Sequence, residues 1–144
     1  MRGEPAVTDV LFRFDVDAAP TAVLAALNTT EGIKGFWTSR ADVPAQVGST
    51  VKVEFAIAPR PFDLRLEQSD ERTVLWRTET FPPHWVGTTV RWDVEASDTG
   101  TTVNFRHAGF SDDEEAGRVA YTWGQIMVRL KAYAESGRPD PVFA

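Results

Sequence analysis

The chain has 144 residues, 42% of them hydrophobic, with a formal net charge of −6 and a sequence pI near 4.9. That length suits one domain with its own core and is short for two, so a single domain over residues 1–144 is expected. The acidic balance and the lack of clustered Lys and Arg argue against a nucleic-acid or anionic-membrane surface, and the absence of cysteine removes thiol nucleophiles, thiolate metal sites and disulfides.

Met1 to Val10 lacks a charged start followed by an apolar run, and no stretch of about 18 consecutive apolar residues occurs. A cytoplasmic location without membrane insertion is the expectation. Residues 8 to 16 alternate, with Val10, Phe12, Phe14 and Val16 on one side and Asp9, Leu11, Arg13 and Asp15 on the other, which reads as a half-buried strand. Pro20 stands where a first helical turn begins, and Val23, Leu24 and Leu27 give a short helix its apolar face, ending near Asn28. Asn28 and Glu31 have capping-box spacing for a second short helix carrying Ile33, Phe36 and Trp37, which Gly32 and Gly35 should leave weak, kinked or mobile. Asn28-Thr29-Thr30 matches a glycosylation acceptor but reads better as this helix start. Arg40 to Ser49 holds Pro44 and Gly48 without periodicity and reads as loop.

From Thr50 the period becomes two. Val51, Val53, Phe55 and Ile57 oppose Lys52 and Glu54; after Pro59-Arg60-Pro61, Phe62, Leu64 and Leu66 oppose Asp63, Arg65 and Glu67. Val74, Trp76 and Thr78 follow, until Phe81-Pro82-Pro83-His84 breaks the run. Val86, Thr88, Val90, Trp92 and Val94 then oppose Arg91, Asp93 and Glu95, and Val103, Phe105 and His107 oppose Thr102, Asn104 and Arg106. The sheet is antiparallel. The mixed charges on its outer parity read as a solvated face with cross-strand ion pairs.

The last segment, Ser111 to Gly137, is a long helix. Val119, Trp123, Ile126, Leu130 and Tyr133 recur at spacings of three and four, Ser111 and Glu114 have capping-box spacing, Gly137 suits the closing turn and Pro139 forbids continuation. At about 1.5 Å per residue it runs roughly 35 to 40 Å. A sheet with one apolar face and one amphipathic helix is satisfied when the sheet curls around the helix. The expected class is therefore α+β, a curved antiparallel sheet of six or seven strands wrapped around a C-terminal helix, with two short helices after the first strand.

Gly35-Phe36-Trp37-Thr38, Arg106-His107-Ala108-Gly109-Phe110, and Trp123 to Gly137 with its Arg129-Leu130-Lys131-Ala132-Tyr133 core resemble the START-like, birch-pollen-allergen-like (SRPBCC) superfamily. The likeness is strongest to the branch similar to the activator of the heat-shock-protein ATPase. The chain departs from that branch at Val47-Gly48-Ser49, where paired glycines are usual, and at Thr122-Trp123-Gly124, where a Gly-Trp pair is usual. The resemblance implies a helix-grip fold with a hydrophobic cavity between sheet and helix, in a superfamily of lipid carriers, hormone receptors, polyketide cyclases and co-chaperones.

By parity the concave face carries Phe12, Phe14, Phe55, Phe62, Leu64, Trp76, Trp92, Phe105 and His107, and the helix adds Trp123 and Met127. These side chains either fill the core or leave a gap near the open end, lined by aromatics and a few polar groups. The candidate ligand-binding residues are Trp37, Phe55, Trp76, Trp92, Phe105, His107, Trp123 and Met127, with Trp37 as a lid. Thr78, Thr88 and Gln68 share the inward parity as weaker hydrogen-bonding candidates. His84 follows two prolines and is assigned no role.

His107 is the one candidate acid or base, and no partner for it can be placed. With two histidines in separate segments and no cysteine, neither a metal nor a cofactor is expected. The reading adopted is non-catalytic binding of a lipophilic or aromatic small molecule. The alternatives are an enzyme of cyclase, dehydratase or hydrolase type in the same cavity, and a co-chaperone-like interaction module. Tyr121 and Val128 lie seven apart on the helix side away from the core stripe and suggest a homodimer surface.

Overall fold

The computed structural model describes residues 7–144, so most of the Met1 to Val10 stretch lies outside the described residues. The elements are β1 (Thr8–Val16), α1 (Pro20–Asn28), α2 (Thr30–Phe36), β2 (Arg40–Asp42), β3 (Thr50–Glu54), β4 (Phe62–Ser69), β5 (Thr73–Thr78), β6 (Thr89–Ser97), β7 (Gly100–Phe110) and α3 (Asp113–Ser136). One seven-stranded sheet runs in the order β1-β7-β6-β5-β4-β3-β2. Every neighbouring pair is antiparallel. β2 to β7 form a meander, and β1 closes on β7. This is the helix-grip fold: the curved sheet holds α3, whose 24 residues span about 36 Å.

Alternation decides which side is buried. Val51, Val53, Leu64, Leu66, Val74, Trp76, Val90, Trp92, Val103 and Phe105 point inward, and Val119, Trp123, Ile126 and Leu130 of α3 close over them. Each large side chain fully removed from water contributes roughly 1.5–3 kcal/mol. Among the described residues no helix is long and apolar enough to cross a membrane.

The structure corrects several local expectations. α3 is capped by Asp112, whose carboxylate accepts the Glu114 N–H at 2.9 Å, so the Ser111–Glu114 box does not form. Its other end is as expected: Gly137 is left-handed at φ 75° and donates to the Tyr133 carbonyl. α2 is capped by Thr29, because Asn28 is still committed to the last turn of α1; Thr29 Oγ1 accepts the Gly32 N–H at 2.9 Å.

Gly32 and Gly35 do not loosen α2. A β-carbon on Gly32 would lie 2.4 Å from the Ala26 carbonyl, and one on Gly35 would lie 2.4 Å from the Tyr133 ring. They let α2 pack tightly on α1 and α3.

The stretch expected to be loop contains β2, an edge strand too short to show a period, paired to β3 with Ala41 opposite Val53. β3 stops at Glu54, which leaves Ile57 93% exposed instead of facing inward. The segment around Val86 is not strand either. Pro82 and Pro83 offer no backbone N–H, so the chain makes a single 3-10 turn at Pro83–Trp85, and β6 begins at Thr89. A bulge between Leu66 and Gln68 shifts the β4–β5 register, and the Gln68 amide bonds to Asp70 at 2.9 Å.

Candidate functional site

All five tryptophans belong to one cluster. Trp123, placed by the α3 stripe, is its hub, with ring centroids 5.1 Å from Trp37, 5.9 Å from Trp85, 5.8 Å from Trp92 and 4.7 Å from Phe105. Trp76 stacks on Trp37 at 6.0 Å. Trp37, expected as a lid, is 1% exposed and anchors the end of α2 in the core.

His107 is fully buried within this cluster, and both ring nitrogens are engaged. The Trp123 indole N–H donates to Nδ1 at 3.0 Å, and Nε2 lies 2.7 Å from Thr88 Oγ1. Because the Thr88 hydroxyl donates to the Trp85 carbonyl at 2.6 Å, its oxygen is left to accept, which assigns the proton to Nε2. The chain of donors closes on a neutral imidazole. Burial, and then the charge of His84, push the His107 pKa down to about 3. A group so placed has no free nitrogen for general acid or base work.

The open space lies farther out. A cleft of about 450 Å³ sits between the first half of α3, the Phe81–Trp85 turn, the end of β3 and the C-terminal tail. Its walls are Trp37, Phe55, Phe62, Phe81, Trp85, Trp123, Ile126, Val119 and Phe143, and its rim carries His84, Glu115, Arg118 and Thr122. Glu115 bridges the rim: Oε2 lies 3.3 Å from His84 Nε2, and Oε1 accepts from Arg118 at 2.9 Å. Phe143 is brought in by backbone bonds that run the tail beside α2, from Asp140 N to the Gly35 carbonyl and from Phe143 N to the Trp37 carbonyl. It then packs edge-on against Phe55 at 4.9 Å.

Of the candidate residues, Trp37, Phe55 and Trp123 line this cleft. Trp76, Trp92, Phe105, His107 and Met127 are buried in the packed core behind it. Trp85, Phe143 and the His84–Glu115–Arg118 rim escaped the sequence reading. Trp85 stands in a turn that the two prolines mark only as a break, and Phe143 follows a helix stop after which no periodicity remains. Tyr121 and Val128 are exposed, at 76% and 66%. Among the described residues no three His, Asp or Glu side chains converge as a metal site requires.

Against known proteins, the model of the family described as activator of Hsp90 ATPase homolog 1-like protein matches residues 17–135. The chain belongs to that family. Among solved structures, this Hsp90 ATPase activator-like chain is similar to the Aha1 dimer from Colwellia psychrerythraea, with 26% identity, 90% of this chain and 98% of that chain covered, and a TM-score of 0.81. The protein SSP2350 from Staphylococcus saprophyticus shares 20% identity over 94% of this chain and 98% of its own, with a TM-score of 0.77. DynU16, from the dynemicin biosynthetic locus, shares 19% over 91% of this chain and 48% of its own, also at 0.77. The last two likenesses are of fold. No curated protein matches.

Proposed function

We propose that this activator-like chain binds an apolar, aromatic small molecule in the cleft at the mouth of the grip, without chemistry. The observation that carries the reading is the cleft itself: about 450 Å³ walled by Trp85, Trp123, Phe62, Phe81 and Phe143 with polar groups confined to the rim. Small-molecule sites are of this size, on the order of 300–1,000 Å³, and of this composition. His107 enters the reading only as a structural group, because its nitrogens are already bonded.

Titration with a panel of fused-ring aromatics, followed by tryptophan fluorescence and melting temperature, tests it. Binding should quench the emission of Trp85 and Trp123 and should be lost in Thr122→Trp, which fills the cleft from the solvent side of α3. A panel that neither quenches nor stabilises the protein, or that acts equally on the filled variant, counts against the cleft.

For assembly, we infer a second copy of the chain on the outer face of α3. Support comes from Tyr121 and Val128, exposed at 76% and 66%, and from the dimer reported for the Colwellia protein. Sedimentation equilibrium should find a dimer that Tyr121→Ser with Val128→Ser dissociates. A monomer at every concentration removes the inference.

A further inference from the structure

The outer face of the sheet carries an arrangement that strand alternation alone does not show. The register places Arg91 directly opposite Arg106 and Arg65 directly opposite Arg77. Leu11 lies opposite Arg106, which sets Arg13 diagonally beside it, and Leu75 lies opposite Arg91, which sets Arg77 beside Arg91. Arg13, Arg106, Arg91, Arg77 and Arg65 therefore form a diagonal band over β1, β7, β6, β5 and β4, all of them exposed. Strands spaced by about 4.8 Å make this band on the order of 20 Å long.

Like charges directly opposite one another destabilise a sheet, yet the band has two such pairs in a chain of net charge −6. Local acids meet it only in part. Glu67 pairs with Arg77 at 3.1 Å, Asp93 with Arg91 at 2.8 Å and Asp9 with Arg106 at 3.2 Å. Arg13 bonds to the neutral Asn104 at 2.9 Å, and Arg65 has no acidic partner among the described residues. Three of the five guanidinium groups are in an ion pair, and those arginines remain 44% to 53% exposed with donors of their fork unused. At the β1 end, Leu11 adds an apolar contact that is 59% exposed.

We propose that this arginine band docks an extended acidic segment of a partner protein. Such a segment, about six residues long at roughly 3.3 Å each, spans the band and can present separated carboxylates to forks that bind them in bidentate fashion. A nucleic acid fits less well. Asp9, Glu67 and Asp93 interrupt the band, and Asp15 and Glu95 flank Thr102 along its border, so a backbone with a charge at every unit meets repulsion.

The test uses a fluorescent peptide of alternating Glu and Ser, its Gln and Ser analogue, and a single-stranded oligonucleotide of similar length, at low and moderate salt. The acidic peptide should bind, weaken as salt rises, and lose roughly tenfold in affinity in Arg91→Gln with Arg106→Gln. That variant also removes an opposed like-charge pair, so its melting temperature should not fall. Lys34→Gln with Arg138→Gln, which removes equal charge off the band, should leave binding unchanged. Equal binding of the Gln analogue, equal loss in the off-band variant, tighter binding of the oligonucleotide, or no binding at low salt would each overturn the proposal.

Discussion

Trp123 donates its indole N–H to His107 Nδ1 across 3.0 Å, so the hub of the aromatic cluster also holds the buried imidazole neutral. Protonating His107 would place two N–H groups where the network supplies one donor and one acceptor.

This sets a pH dependence. His107 has a folded pKa of about 3 against 6.5 when free. Above about 6.5 both states are neutral and the full stability is present; below it the unfolded chain takes up a proton that the fold refuses. Stability should therefore fall as pH drops from about 6.5 towards 3, by up to roughly 1.4 kcal/mol per pH unit. Urea unfolding at pH 7.5, 6.5 and 5.5 measures the slope. It should persist in His84→Gln and flatten in His107→Gln; the opposite pattern would assign it to the wrong histidine.

Removing the donor is the sharper probe of the same contact. Trp123→Phe keeps an aromatic ring in place, strips Nδ1 of its partner and leaves a gap beside Trp85 and Trp37. A loss of about 3 kcal/mol is expected in denaturant unfolding. A loss below about 0.5 kcal/mol would mean that the bond and the packing contribute nothing distinguishable.

The architecture could be read in advance because period two and period 3.6 are strong signals over long stretches: β5, β7, β4 up to its bulge, β6 from Thr89 on and the α3 stripe stood where alternation and i, i+4 spacing put them. What escaped was set by pairwise geometry. Trp85 reaches the cleft through a turn that only the position of Pro83 hints at. Phe143 reaches it through backbone bonds to α2 that leave no pattern. The charged face looked like scattered ion pairs until the register of β6 on β7 set Arg91 against Arg106. The caps differed by a single residue, at Asp112 and Thr29; at α2 this is because Asn28 still belongs to the last turn of α1.

Gly32 and Gly35 separate close packing from flexibility. At Gly35 the obstacle is the Tyr133 ring, a side chain that can turn, whereas at Gly32 it is the backbone of Ala26. Gly35→Ala should therefore cost about 1 kcal/mol and Gly32→Ala about 3 kcal/mol, despite the better helix propensity of alanine. If thermal melts find either variant more stable than the parent, the close-approach reading of α2 fails.

Thr78 and Thr88 offer opposite outcomes from one substitution. Both are buried, at 2% and 3% exposure; Thr78 ends β5 and Thr88 immediately precedes β6. Thr78 Oγ1 makes no hydrogen bond among the described residues, although its backbone is paired to Thr88 and Gly87. Thr88 Oγ1 accepts from His107 and donates to the Trp85 carbonyl. Valine has nearly the shape of threonine, so the exchange isolates the hydroxyl. Thr78→Val should stabilise the protein by about 1 kcal/mol, since it replaces a buried, unpaired polar group by a methyl. Thr88→Val should destabilise it by about 2 kcal/mol, because it leaves the buried His107 Nε2–H without an acceptor, while the Trp85 carbonyl keeps only the Thr88 backbone N–H. Urea titrations of the two variants at pH 7.5 decide it: shifts of the same sign would show that the polar chain from Trp123 through His107 to Thr88 does not distinguish the two sites.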